Sequence, residues 1–257
     1  MKFLQDIAYK KDATASQTLD LYLPDGKDFS TFVHFHGGGL EAGDKKSMQS
    51  TGEYLAKHGI AFATANYRLY PDAVYPEFIR DAAAAVAWVK KHISEYGGND
   101  RIYAGGDSAG AYLSMMLCFD SRWLSPHRID PTKLAGFFHD AGQPTNHYNV
   151  LREYGTDPRS VIVDEKAPLY HVGRAKEYAP MLFLVSDDDM ENRYEQTMLM
   201  VSTLRHFGYD LTKIELEVLP GKHCAIVNQR DESGNNLLGK RIEQFILKTE
   251  NCTSVSK

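Results

Sequence analysis

Cysteine is scarce: Cys118, Cys224 and Cys252 are the only three in 257 residues, an odd number without CxxC spacing. That supplies neither a disulfide framework nor a zinc knuckle, and it suits reduced thiols in a cytoplasm. Long apolar runs are missing as well. The longest helical apolar stretch, Ala82 to Val89 between Asp81 and Lys90, falls short of the ~18 residues a membrane span needs, so no membrane partner is expected. Positive charge is not in excess. With 29 basic against 34 acidic side chains the net charge is -5, which offers phosphates no attracting field and argues against a nucleic-acid partner. No Pro/Ser-rich or like-charged linker, repeat or low-complexity tract divides the chain, so one domain over 1–257 is expected. Met1 to Lys10 has no apolar core followed by a small-residue cleavage site, so no secretory leader is expected. What is present is ample apolar material, 43% of residues, enough to bury a core and exclude a disordered tail.

Runs rich in β-branched and aromatic residues recur at Thr18 to Leu23, Thr31 to His36, Ala61 to Tyr67, Arg101 to Gly105, Ala135 to His139, Met181 to Ser186 and Ile214 to Leu219. Helical patterns alternate with them: Ser47 to His58 behind a capping Ser, Phe78 to Tyr96 stopping at Gly97-Gly98, Ala109 to Phe119, Arg193 to Phe207 stopping at Gly208, and Leu237 to Lys248. This alternation predicts an α/β fold, a mostly parallel sheet covered on both faces, with the first two strands as an antiparallel edge. Gly142 to Pro180 breaks the rhythm, holding Tyr148, Tyr154, Tyr170 and Tyr178 among prolines and charges. Such a stretch reads as a lid or substrate-pocket insertion, at about 142–180.

Three signals carry chemistry. In Gly106-Asp107-Ser108-Ala109-Gly110 the glycines two before and two after Ser108 allow a tight strand-to-helix turn that lifts a hydroxyl above the sheet. The sequence lacks the glycine spacing of a dinucleotide fingerprint and the Lys-Ser/Thr of a phosphate loop. In His36-Gly37-Gly38-Gly39, after the strand Thr31 to Phe35, three glycines let main-chain N–H groups approach a reacting carbonyl and, with the Ala109 amide, form an oxyanion hole. A metal reading of His34 and His36 lacks any further ligand cluster, so no metal is expected. His223 follows the final strand, where an open α/β sheet presents a general base, and none of the nine other histidines does. Its orienting carboxylate comes from Asp187-Asp188-Asp189, with Asp189 preferred, then Asp188 and Asp187. Arg68 with Asp81 reads as a structural ion pair. Leu40, Glu41 and Asp107, flanking the two glycine motifs, are candidate substrate-binding residues. Asp107 could instead bond local backbone, and Glu41 at the mouth would disfavour anionic substrates near the nucleophile.

These residues make the chain resemble an α/β-hydrolase, specifically the hormone-sensitive-lipase-like and acetyl- or feruloyl-esterase-like carboxylesterases. The resemblance runs from about Thr31 to the C-terminal helix. It is carried by His36 to Gly39, Tyr67-Arg68-Leu69-Tyr70-Pro71, Pro76, Asp81, Trp88, Gly97-Gly98, Gly106 to Gly110 and His223. It implies an eight-stranded, mostly parallel sheet, with Ser108 as nucleophile, His223 as base, Asp189 as its orienter and Gly38, Gly39 and Ala109 as oxyanion donors. No metal or organic cofactor is needed. His36 lies too near the start for a large N-terminal cap, and Leu40-Glu41 stand where an aromatic residue is common in the family. The implied function is hydrolysis of small short-acyl esters, including acetylated sugars or aryl esters, by a cytoplasmic enzyme. A peptidase or amidase of the same fold and a non-catalytic ligand-binding module are the alternatives. The expected partner is a small-molecule ester, and whether the chain forms a homo-oligomer is left open.

Overall fold

The computed structural model describes residues 1–254, with side chains described as far as Asn251; the side chain of Cys252 lies outside the described residues. Eight strands form one sheet: β1 (Lys2–Ala8), β2 (Thr18–Leu23), β3 (Phe29–Phe35), β4 (Ala61–Ala65), β5 (Gly98–Asp107), β6 (Gly136–Asp140), β7 (Met181–Ser186) and β8 (Ile214–Leu219). Their spatial order is β1-β2-β4-β3-β5-β6-β7-β8. All pairings from β4 to β8 are parallel, and β2 is antiparallel to both β1 and β4.

The expected antiparallel edge is therefore real but differently composed. β2 does not pair with β3; its partners are β1 and β4. The segment Lys2–Ala8 shows no clean alternation because the register slips between Leu4 and Ile7, and its side chains lie mostly exposed at the sheet edge.

Six helices, α1 (Gln49–Lys57), α2 (Glu77–His92), α3 (Ala109–Phe119), α4 (Tyr148–Glu153), α5 (Arg193–His206) and α6 (Leu237–Ser254), complete the described chain. Alternate side chains of each central strand serve two cores. Val33, Phe35, Ala104, Phe137 and Phe183 pack with Val86 of α2, Leu113 of α3 and Leu204 of α5. Phe32, Phe62, Tyr103, Phe138 and Leu182 pack with Leu55 of α1 and Ile242 and Phe245 of α6. Two boundaries differ from expectation. Ser47 caps nothing: Asp44 accepts from the Lys46 amide and opens a short 3₁₀ turn before α1. The stretch Phe78 to Tyr96 is not one helix, since α2 ends at His92 and a 3₁₀ turn, Ile93–Tyr96, stops at Gly97 with φ of 98°.

The neighbours of β3 are β4 on one side and β5 on the other, so the chain's winding direction reverses there. Open α/β sheets bind ligands outside the carboxyl ends of the strands at that reversal, where the loops after β3 and β5 diverge.

Candidate active site

Ser108 joins β5 to α3 with φ of 52° and ψ of -113°, a conformation that L-residues rarely adopt. The surroundings hold it: its amide donates to the Asp140 carbonyl at 2.8 Å and its carbonyl accepts from Tyr112 at 3.1 Å. The tightness of the turn explains its second glycine. A Cβ on Gly110 would stand 1.9 Å from the Phe35 carbonyl oxygen, so α3 can start against the end of β3 only without a side chain there.

His223, on the loop after β8, places Nε2 2.8 Å from Ser108 Oγ and Nδ1 2.6 Å from Asp189 Oδ1. Asp189 is fully buried as a side chain. Burial alone would raise its pKa, but the His223 bond and charge and the Met190 and Ser186 amides outweigh that and hold the carboxyl below its usual range. The other two aspartates of the run hold the histidine loop. Asp187 accepts from the Gly221 amide at 2.9 Å, and Asp188 pairs with the exposed Lys222. Ser186 Oγ adds a bond to the Lys222 carbonyl at 2.7 Å.

The loop after β3 lies beside this line. Gly38 has φ of 113° and its carbonyl accepts from the Glu41 and Ala42 amides, a turn closed to residues with a Cβ. Among the described residues neither the Gly38 nor the Gly39 amide has an acceptor within the chain, and Ala109, at the first turn of α3, has no i−4 carbonyl inside its helix. The loop is braced from both ends. Asp107 Oδ2 accepts from the Gly37 amide at 2.9 Å and Asp107 Oδ1 lies 3.1 Å from His34 Nε2, so this carboxylate is spent inward. His36 stacks on Tyr67 with ring centroids 4.5 Å apart. From the other end, α4 leans on the glycines: Asn149 Nδ2 donates to the Gly39 carbonyl, and the Tyr148 hydroxyl would stand 2.3 Å from a Cβ on Gly39.

Of the candidate substrate-binding residues, Leu40 and Asp107 have buried side chains. Leu40 is fully buried in the core, and Asp107 is engaged as described. Glu41 is exposed and paired with Arg152 of α4. Arg68 and Asp81 form the expected ion pair, two-pronged at 2.7 and 3.1 Å, and Gln17 bonds the same carboxylate at 2.7 Å. Within the 142–180 stretch, Tyr178 is buried, Tyr148 half-buried, and Tyr154 and Tyr170 exposed. Cys118 is a buried free thiol; Cys224, beside His223, is pushed up by burial and by the nearby carboxylates of Asp140, Asp107 and Asp189.

Residues 19–155, more than half of the chain, match the family model BD-FAE. The chain belongs to the BD-FAE family. As a BD-FAE member it is 38% identical, over 101 residues, to a probable isoprenylcysteine alpha-carbonyl methylesterase of Arabidopsis thaliana, covering 37% of this chain and 21% of that protein. It is 33% identical, over 114 residues, to an acetyl esterase of Salmonella paratyphi B, covering 44% of this chain and 34% of the relative. The matched stretch thus spans about a third or less of the relatives' length. Among solved structures, a truncated carbohydrate esterase from gut microbiota superposes with a TM-score of 0.78 at 20% identity, covering 98% of this BD-FAE chain and 97% of its own. Esterase B of Lactobacillus rhamnosis gives 0.78 at 18%, covering 99% and 88%. At such identities these two establish the α/β-hydrolase fold.

Two contributors escaped the sequence: Asn149, which meets the glycine loop from 110 residues away, and the buried Arg193; Tyr148 is legible only as part of the 142–180 stretch, without its contact to Gly39. No local pattern marks them.

Proposed function

We propose that this protein is a serine carboxylesterase that cleaves small short-acyl esters, acetylated sugars and aryl esters among them, through an acyl-enzyme. One observation carries the reading: the continuous relay from Asp189 Oδ1 through both nitrogens of His223 to Ser108 Oγ, at 2.6 and 2.8 Å. The esterase names of the relatives support it.

In this mechanism Ser108 Oγ attacks the ester carbonyl while His223 Nε2 takes its proton. The amides of Gly38, Gly39 and Ala109 receive the developing oxyanion, each worth ~3 kcal/mol. His223 then protonates the departing alcohol, and a water molecule activated by the same imidazole releases the acid. Asp189 fixes the tautomer with the proton on Nδ1 and stabilises the imidazolium. In this reading the stretch at 142–180 borders the substrate, with Tyr148 and Asn149 of α4 against Gly39.

Purified protein should hydrolyse p-nitrophenyl acetate or butyrate. A fluorophosphonate should label Ser108. In Ser108→Ala turnover should fall by about 10³-fold or more, to the level that binding and the oxyanion amides alone sustain. Wild-type turnover in that variant would overturn the reading.

A further inference from the structure

A cavity of about 270 Å³ opens between the loop after β6 and the start of α5, lined by Gln143, Tyr148, Met190, Asn192, Arg193 and Gln196. Three of its lining residues link it to the candidate active site. Tyr148 touches Gly39 of the glycine loop; Met190 directly follows Asp189; and Arg193 bonds the carbonyl of Ala141, next to Asp140, whose own carbonyl takes the Ser108 amide. The cavity has room for the chain of a small acyl or alcohol group.

Arg193 is the unusual member. The residue is 4% exposed, yet the only acceptors of its side chain among the described residues are neutral: the Ala141 carbonyl and, at 3.5 Å, Gln143 Oε1. No carboxylate lies within ion-pair distance of it among those residues. Asp189 is the carboxylate whose charge acts on it, but both Asp189 oxygens are taken, by His223 and two main-chain amides. A buried guanidinium without a carboxylate is costly, and a planar donor fork is suited to receiving one. The exposed groups at the edge of the cavity do not oppose an anion as a set: Arg159 is paired with Asp157, and Glu191 is the one acid among the lining side chains. Glu41, on the glycine loop, is neutralised by Arg152.

We propose that this cavity is a carboxylate subsite, so that the favoured substrates are esters carrying a free carboxylate, bound by Arg193 with Gln143 and Gln196 beside it. The inference rests on the esterase reading and narrows it to a substrate class.

Two matched pairs test it and separate the two sides of the ester. 4-Nitrophenyl hydrogen adipate against 4-nitrophenyl hexanoate puts the carboxylate on the acyl side. The acetyl ester of glycolate against ethyl acetate, followed by pH-stat, puts it on the alcohol side. In the wild type one pair should favour the anion by about tenfold or more in kcat/KM, and added NaCl should shrink that preference. The preference should vanish in Arg193→Met and survive in part in Arg193→Lys. The ratio within a pair is the readout, because both members share any general loss of activity. Neutral-ester turnover without an anion preference in either wild-type pair, or a preference unchanged in Arg193→Met, overturns the subsite and leaves the esterase reading standing. If Arg193→Met does not fold, the wild-type ratios and Arg193→Lys decide. No turnover of any ester together with no fluorophosphonate labelling of Ser108 overturns both.

Discussion

Three consecutive aspartates with identical chemistry do different work here because each faces a different neighbour. Asp187 and Asp188 stay near the surface and hold the loop that carries His223, through the Gly221 amide and the Lys222 ammonium. Asp189 turns its side chain inward, away from solvent, and spends its oxygens on the imidazole and two amides. Asp189→Asn should therefore keep the fold and cost about 10³- to 10⁴-fold in kcat, because an amide can present its N–H to Nδ1 and stabilise the wrong tautomer. Steady-state kinetics on p-nitrophenyl butyrate would check this, and a loss under tenfold would reassign the orienting role. The sequence made Asp189 preferable but left its neighbours open, since composition does not say which of three adjacent carboxylates points inward. Ser108 was legible because its glycines answer a local steric demand. Arg193 was not, because its burial depends on the far end of another loop.

At the level of elements, the glycine loop is held between two supports of different origin. Asp107, one residue before Ser108, braces it through Gly37, and α4, contributed by the 142–180 stretch, braces it through Asn149. The first support is short-range in the fold and follows from the motif. The second joins residues 110 apart in sequence, which is why the strands and most helices could be read from periodicity while this contact could not. β1 escaped for a different reason: a register slip at a sheet edge erases the alternation that identifies a strand. Asn149→Ala removes the donor to the Gly39 carbonyl, and a lost buried hydrogen bond costs about 1–3 kcal/mol. Expressed as mobility of the oxyanion amides, that predicts kcat about tenfold or more below wild type, with KM changed less and the melting temperature lower by a few degrees. Unchanged kcat at an equally lowered melting temperature would show that α4 contributes stability alone.

For the molecule as a whole, the buried imidazoles set the response to acid. Burial pulls His139 down to about 3, and burial, then the Arg193 charge, takes His147 well below its usual value; burial also lowers His36 and His171. An unfolded chain would protonate these rings near pH 6.5. Between that value and the folded pKa the unfolded state binds more protons, so stability is lost as pH falls, by up to about 1.4 kcal/mol per pH unit for each ring. Asp140 works the other way. Burial, then the Asp107 and Asp189 charges, raises its carboxyl, so the folded state takes up that proton first and gains stability on acidification; Glu153, raised by burial, adds a smaller effect of the same sign. Four imidazoles pulled down by burial act against two carboxyls pushed up by it, so stability is expected to fall between pH 7 and pH 5. Urea denaturation at those two pH values should show a lower midpoint at pH 5. His139→Asn, which cannot take up a proton, should flatten the difference by about the share of one ring. A midpoint that holds or rises toward pH 5 would mean that the carboxyls, and not the imidazoles, govern the acid side of the stability curve.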